Sequence, residues 1–478
     1  MIQFDQIPSQ FVLISAVLST EAVPTELRPY LTLYLAMLFS LPVQRADGTR
    51  LSYEQVVQQL EDDVLDYDAA IGVGSSFNEN LAVELKVPAS RYVQAVGWMR
   101  DLLWGADFSL ERVRVSAAKL AQSLPEQKRD GRMVSWALLR SLLYVPGRSA
   151  CEANSVLSQI QHVREITDAL QHTPEQVLAN LERVREALLR PEHMRFSVAG
   201  DILRLPAPRV PWRTVLPGVP APRALRPLPW ASDVVTALGA RPARAARLCT
   251  VPAIESSYAV VTARGLTGYT DPDYAPLVVT LTILNAMESF LWRYIRGAGL
   301  AYGASIRNDA EAQHIHFLLY RAPDAARAFT EGRKVLHALA HGTPLDDGSS
   351  AVIDETMLET AKSSLHFSVA EAEGTVGAAA LESFVDVRLK RVPRGRGRRL
   401  LKDASRVTLA EVQRCLRQYI VPLFDPATSV CAVAASSASA ESIRAQLTAV
   451  GYDVEDVEMP VGGDESDASD TETASTAS

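Results

Sequence analysis

Arg296 and Tyr302, in RGAGLAYG (296–303) with Gly299 between them, place a guanidinium six positions ahead of a phenol. A guanidinium is a rigid fork of donors that suits backbone carbonyls or a terminal carboxylate. A phenol hydroxyl can donate to a carbonyl oxygen that gains charge under attack, a contribution of about 3 kcal/mol for a well-placed donor. Spacing alone favours a plainer alternative, in which Arg296 caps helix carbonyls and Tyr302 is a core aromatic with a satisfied hydroxyl.

Two of the histidine arrangements have ligand-like spacing. His337 and His341 (HALAH) share a helix face, but Ala340 stands where a water-activating glutamate belongs, and no cysteine or carboxylate follows before Asp346. A helix C-terminus that favours His near its dipole is the better reading. His314 and His316 fall on one strand face by period two. Nothing nearby supplies a third ligand, so a polar cavity wall or a solvent face is expected. GVGSSF (72–77) lacks a lysine and precedes a strand, which argues against a phosphate loop. No metal site is expected in this chain.

The elements that position Arg296 and Tyr302 read as one helix and one strand. Asp271 is a plausible N-cap with Pro272 at the first helical position. Leu277, Leu281, Leu284, Met287 and Leu291 then recur at helical spacing, and Gly297 sits where a C-terminal glycine stops a helix. This puts Arg296 at the helix end and Tyr302 at the start of the next strand.

The chain also repeats itself at the scale of a domain. LAVELKVPASRYVQAVGWMRDLL (81–103) parallels IHFLLYRAPDAARAFTEGRKVL (315–336), each a strand, a proline turn and a helix. TPEQVLANLERVREALLRPEHMRFSVAGD (173–201) parallels TLAEVQRCLRQYIVPLFDPATSVCAVAAS (408–436), each a Thr-capped helix, a proline turn and a strand. Pro88/Pro323, Thr173/Thr408 and Pro191/Pro426 are all 235 positions apart, and upstream Ala16/Ala263 are 247 apart. The expectation is an α+β protein of two homologous domains, each a mainly antiparallel sheet with helices packed on one face. The first spans 1–203 and the second 247–448. Proline density makes 204–246 an extended linker, and 449–478 is expected to be an acidic disordered tail.

With 478 residues, 47% hydrophobic and 22% charged, the composition is ordinary for a globular protein. Five of the acids behind the net charge of −8 lie beyond residue 463, so the body is near neutral and no basic stripe argues for nucleic acid. The four cysteines are widely spaced, which suits a reducing compartment. No leader is visible at the N-terminus, and the apolar runs are too short to span a bilayer.

On these motifs the chain resembles the C-terminal half of the pitrilysin, or inverzincin, family of zinc metallopeptidases, nearest the presequence-protease branch and its fungal cytosolic relatives. The resemblance covers residues from about 10 to about 437. It implies four related α+β domains in two half-shells that enclose a chamber for unfolded peptides, with the two units here as the third and fourth domains. Arg296, Gly299 and Tyr302 resemble the substrate-binding motif of the fourth domain, which gives Tyr302 an auxiliary catalytic role in stabilising the transition state and Arg296 one in positioning the substrate. The family's zinc is held by H-x-x-E-H on the first long helix of its first domain. The corresponding helices here, ELRPYLTLYLAML (26–38) and DYAPLVVTLTIL (273–284), contain no histidine. The resemblance therefore implies a chain inactive alone, with no cofactor of its own and zinc only in a complementary N-terminal half. The partners it implies are unfolded peptides and that half, or a second copy of this chain, with no nucleic acid and no membrane. A non-catalytic scaffold or peptide-binding subunit of the same fold is the alternative. The expected location is the cytoplasm, or the mitochondrial matrix if the other half carries a transit peptide.

Overall fold

The computed structural model describes residues 1–215, 224–345, 348 and 350–460. The first lobe contains β1 (Ile2–Gln6), β2 (Phe11–Ser19), the short hairpin β3 (Val43–Gln44) and β4 (Arg50–Leu51), β5 (Asp66–Val73), β6 (Ser76–Pro88) and β7 (Met194–Gly200). Five of these form a sheet in the order β1-β7-β2-β6-β5, parallel only between β1 and β7. The second lobe contains β8 (Ala245–Thr250), β9 (Ser257–Arg264), β10 (Gly303–Asp309), β11 (His314–Ala322), β12 (Ser429–Ala435) and β13 (Asp453–Asp456). Their order is β10-β11-β9-β12-β8-β13, with β8 parallel to both neighbours. The architecture is α+β, two mixed sheets packed with helices, and the second sheet repeats the first with β13 added at one edge.

Each lobe builds its main core between one sheet face and its own helices. The opposite faces are covered by exchange. Helix Gly131–Leu143 of the first lobe packs on β12, β9 and β8, where Val134, Leu138 and Leu142 meet Val260, Val430, Ala432 and Ala434. Helix Val376–Arg388 of the second lobe lies on β7 and β1, where Ser383 Oγ donates to Asp5 at 3.2 Å and Arg388 Nε to Gln3 at 3.0 Å. This explains why β7 and β12 are buried at every residue: a strand covered on both sides reads as an unbroken small-and-apolar run rather than an alternating one. Helices on one face describes each lobe by itself, and the exchanged helix supplies the other layer.

The register corrects the upstream alignment. Ser15 lies opposite Ser197, whereas Ala432, 235 positions further on, lies opposite Val260. Ser15 therefore matches Val260, and the alignment moves by two residues. A slip of two keeps every side chain on its own face, so the hydrophobic pattern could not detect it.

The described part of 204–246 is not extended throughout. It forms short helical turns at Pro211–Thr214, Ala231–Val234 and Ala237–Ala240, and β8 already begins at Ala245. Trp230 Nε1 donates to the Leu389 carbonyl at 2.6 Å, and buried Leu228 packs with Phe384 and Phe77. Part of the stretch assigned to the tail is ordered too. The helix Ala440–Val450 ends at Gly451 in the left-handed region, and β13 follows. Residues 461–478 lie outside the described residues.

Candidate functional site

The helix expected over 271–299 is broken. It runs from Tyr274 to Asn285 and is interrupted at Ala286–Ser289, where Glu288 has a φ of +63°. It resumes as a π-helical turn, Trp292–Arg296. Asp271 accepts from the backbone N–H of Asp273 and Thr267, both at 3.0 Å, and so organises the entry turn rather than capping the helix directly. Gly297 remains in the right-handed region. The left-handed residue that turns the chain is Gly299, with φ +71° and nothing within 4 Å of an added Cβ, so backbone conformation and not space asks for glycine there. Leu300 N–H returns to the Ile295 carbonyl at 2.9 Å and closes the turn, with the Ile295 side chain anchored in the core.

This turn brings Arg296 and Tyr302 together. The guanidinium carbon lies 4.7 Å from the centroid of the Tyr302 ring, an exposed cation–π contact of about 0.5–1 kcal/mol. Tyr302 is 61% exposed, which excludes a core aromatic. Its N–H donates to the Arg321 carbonyl at 3.0 Å, which fixes its backbone to the end of β11. There β11 loses register between Leu319 and Ala322, and Arg321 has φ +51°. A bulge of this kind re-aims side chains, and Tyr320 packs edge-on to Tyr302 with centroids 6.2 Å apart. Tyr258 packs in turn on Tyr320 at 5.3 Å, and Arg321 reaches over the Tyr320 ring at 5.4 Å.

Three tyrosines and two arginines thus form a continuous surface strip. Sequence reasoning singled out Arg296, Gly299 and Tyr302 but did not name Tyr258, Tyr320 and Arg321, which the structure places beside them. They converge only through the β9–β11 pairing and the bulge, and the local signal, YR at 320–321 just before the proline turn, is weak.

The histidine pairs lie elsewhere. His337 and His341 stack at the end of helix Ala325–His341, ring centroids 5.9 Å apart. His314 and His316 are neither a cavity wall nor a solvent face. They are buried between the lobes, His314 Nε2 against the Gly239 carbonyl at 2.7 Å and His316 Nδ1 against Thr262 Oγ1 at 2.8 Å, with Trp136 edge-on to His316. Burial lowers the first to about 4 and the second to about 3, so both are neutral at pH 7. Among the described residues no group of three or more His, Cys, Asp or Glu could hold a metal ion.

GVGSSF forms the β5–β6 hairpin turn, with Gly72, Gly74, Ser75 and Phe77 all at positive φ. The Phe77 N–H donates to Glu311 at 2.7 Å, and Ala231 N–H to the other oxygen of that carboxyl at 2.9 Å. Glu311 is buried, and its pKa lies well above the usual carboxylate range because of desolvation, with Asp309 adding to it. These groups bind lobe to lobe and lie apart from the tyrosine strip.

The two-sheet architecture is that of peptidase M16 (pitrilysin-type) domain halves. A structure described as the peptidase M16 inactive domain from Pseudomonas fluorescens aligns with a TM-score of 0.63 and 16% identity, over 92% of this chain and 96% of that one. The periplasmic protease PqqL from Escherichia coli aligns with a TM-score of 0.62 and 14% identity, over 90% of this chain but 43% of that one. An uncharacterized protein of Schizosaccharomyces pombe is 26% identical over 474 residues, 95% of this chain and 44% of that protein. One of Saccharomyces cerevisiae is 27% identical over 490 residues, 99% of this chain and 46% of that protein. The chain therefore spans under half the length of these curated relatives. No protein-family model matches it.

Proposed function

We propose that this chain is the C-terminal half of a presequence-protease-like metalloendopeptidase, forming a chamber wall and presenting Arg296 and Tyr302 to an unfolded peptide. The observation that carries this reading is the exposed contact between the two side chains on a fold shared with M16 domain halves. Coverage of less than half of the longer relatives supports a missing complement. The Tyr302 hydroxyl donates to the scissile carbonyl oxygen as it gains charge. Arg296, its rotamers restricted by the ring beneath it, takes a backbone carbonyl of the bound peptide. In this reading the metal and the attacking water come from the complementary half, as the resemblance implies.

The likeness to a structure described as an inactive domain favours a second reading, a peptide-binding or scaffolding subunit without turnover. One experiment separates them: peptide hydrolysis and bound zinc are measured for the 478-residue chain alone and mixed with a candidate zinc-bearing half. The first reading expects turnover only in the mixture, with Tyr302→Phe lowering kcat about 100-fold at nearly constant KM. An unchanged kcat removes the oxyanion role. Peptide binding by the mixture without hydrolysis supports the second reading.

A further inference from the structure

A cleft of about 850 Å³ opens at the seam between the first lobe, the proline-rich connection and the second lobe, away from the tyrosine strip. Arg28 lies in its wall, only 7% exposed. Its Nε donates to the Val23 carbonyl at 3.2 Å, and its terminal nitrogens donate to the carbonyls of Arg148 and Glu21. Glu79 is 3.7 Å away but already engaged, accepting from Ser149 Oγ at 2.5 Å and from Ala150 N–H at 2.8 Å. Arg28 is thus a buried cation held largely by neutral carbonyls.

The remaining charges leave a surplus. Among the described residues, four guanidinium groups line the cleft, those of Arg28, Arg148, Arg226 and Arg391, against the carboxyls of Glu21, Glu79 and Asp233. Two of these acids are spent locally: Asp233 accepts the Trp230 N–H at 2.9 Å, and Glu21 sits 4.0 Å from Arg226 and 3.6 Å from His193. Burial raises the pKa of Glu79 and lowers that of Arg28, the signature of a pair that only partly neutralises itself. An excess of one cation matches one carboxylate. A phosphate cluster would bring more negative charge than the surplus, beside Glu21 and Asp233. Val23, Pro227 and Val234 add an apolar wall, and the volume is in the range of small-ligand sites.

We propose that this cleft binds the C-terminal carboxylate of a short peptide, the arginines taking the carboxylate and the apolar wall taking the last side chain. The site is separate from the Arg296–Tyr302 strip and does not depend on its role. Fluorescein-labelled Gly-Ala-Ala-Leu with a free carboxylate, and the same peptide as its C-terminal amide, are titrated against the full chain by fluorescence anisotropy. The acid is expected to bind at least tenfold more tightly than the amide. Replacing two exposed arginines together, Arg148→Met and Arg226→Met, should reduce the acid to the level of the amide while circular dichroism stays unchanged; Arg28 itself is left in place because its carbonyl contacts support the fold. Equal affinity for acid and amide, no binding up to millimolar chain, or competition by inorganic phosphate stronger than by acetate would overturn the proposal. Loss of binding in Arg296→Ala with retention in the double variant would place the peptide at the tyrosine strip and overturn it equally.

Discussion

The same substitution at two helical glycines should have opposite effects. Gly97 lies within helix Tyr92–Trp104, and a Cβ built on it meets nothing within 4 Å. Gly97→Ala gains the helix preference of alanine, about 1 kcal/mol, with no packing penalty. Gly131 opens the helix that crosses to the second lobe, and its Cβ would stand 2.4 Å from Cδ2 and 2.7 Å from Cε2 of Tyr258, and 3.0 Å from Cδ1 of Ile254. Such overpacking costs about 1–3 kcal/mol, against a first-turn helix gain smaller than that at Gly97. The two variants should therefore differ by about 1–4 kcal/mol, Gly97→Ala above the wild type and Gly131→Ala at or below it. Urea denaturation with a common slope measures the difference. Because Tyr258 supports Tyr320 and through it Tyr302, Gly131→Ala should also change the near-ultraviolet circular dichroism of the tyrosines. A Gly131→Ala protein as stable as Gly97→Ala, with an unchanged tyrosine signal, would refute the close contact between the lobes on which this reasoning rests.

Asp273 binds Arg414 at 2.6 Å and accepts from the Tyr419 hydroxyl at 2.9 Å; the Arg414 bond lowers its pKa, so it stabilises the fold above the ordinary carboxylate range near 3.9 and loses that contribution as pH falls through its lower folded value. Asp273→Asn should cost about 1–3 kcal/mol at pH 7 and lose less between pH 5 and pH 2 than the wild type, by urea midpoints at each pH. His314 and His316 titrate near 4 and 3 in the folded state against about 6.5 when unfolded, so the unfolded chain takes up protons first and stability declines from about pH 6.5 downward. In His316→Gln that decline between pH 6.5 and pH 4 should be shallower. All four cysteines are buried and free, with thiols raised to about 11 or 12 by burial; a thiol reagent at pH 8 should label none in the native protein and all four in urea.

The repeat was legible because Pro88/Pro323 and Pro191/Pro426 punctuate equivalent turns, and turn chemistry is local. The α+β class followed from the order of strands and helices between those turns. The exchange of helices was not legible: nothing in the sequence of Gly131–Leu143 or Val376–Arg388 says which sheet each covers. That is why His314 and His316 were read as a polar cavity wall or a solvent face, when Trp136, from a segment about 180 residues away, covers His316 and the Gly239 carbonyl meets His314. Arg296 and Tyr302 are close in sequence and were singled out together, and the structure brings their side chains into contact. Gly297 was preferred over Gly299 as the terminating glycine because the π-helical turn, one residue wider than an α-turn, displaces the point where the chain reverses.

The crossing of helices Gly131–Leu143 and Val376–Arg388 makes each lobe a ligand of the other. Excising either one would strip an apolar layer from the sheet left behind and expose Val260, Ala432 and Ala434 on one side or Val17 and Ala82 on the other. The smallest piece able to fold is therefore the pair. Fragments for expression should be cut outside both crossings, and scission near residue 220 should leave two chains that still co-purify and melt together.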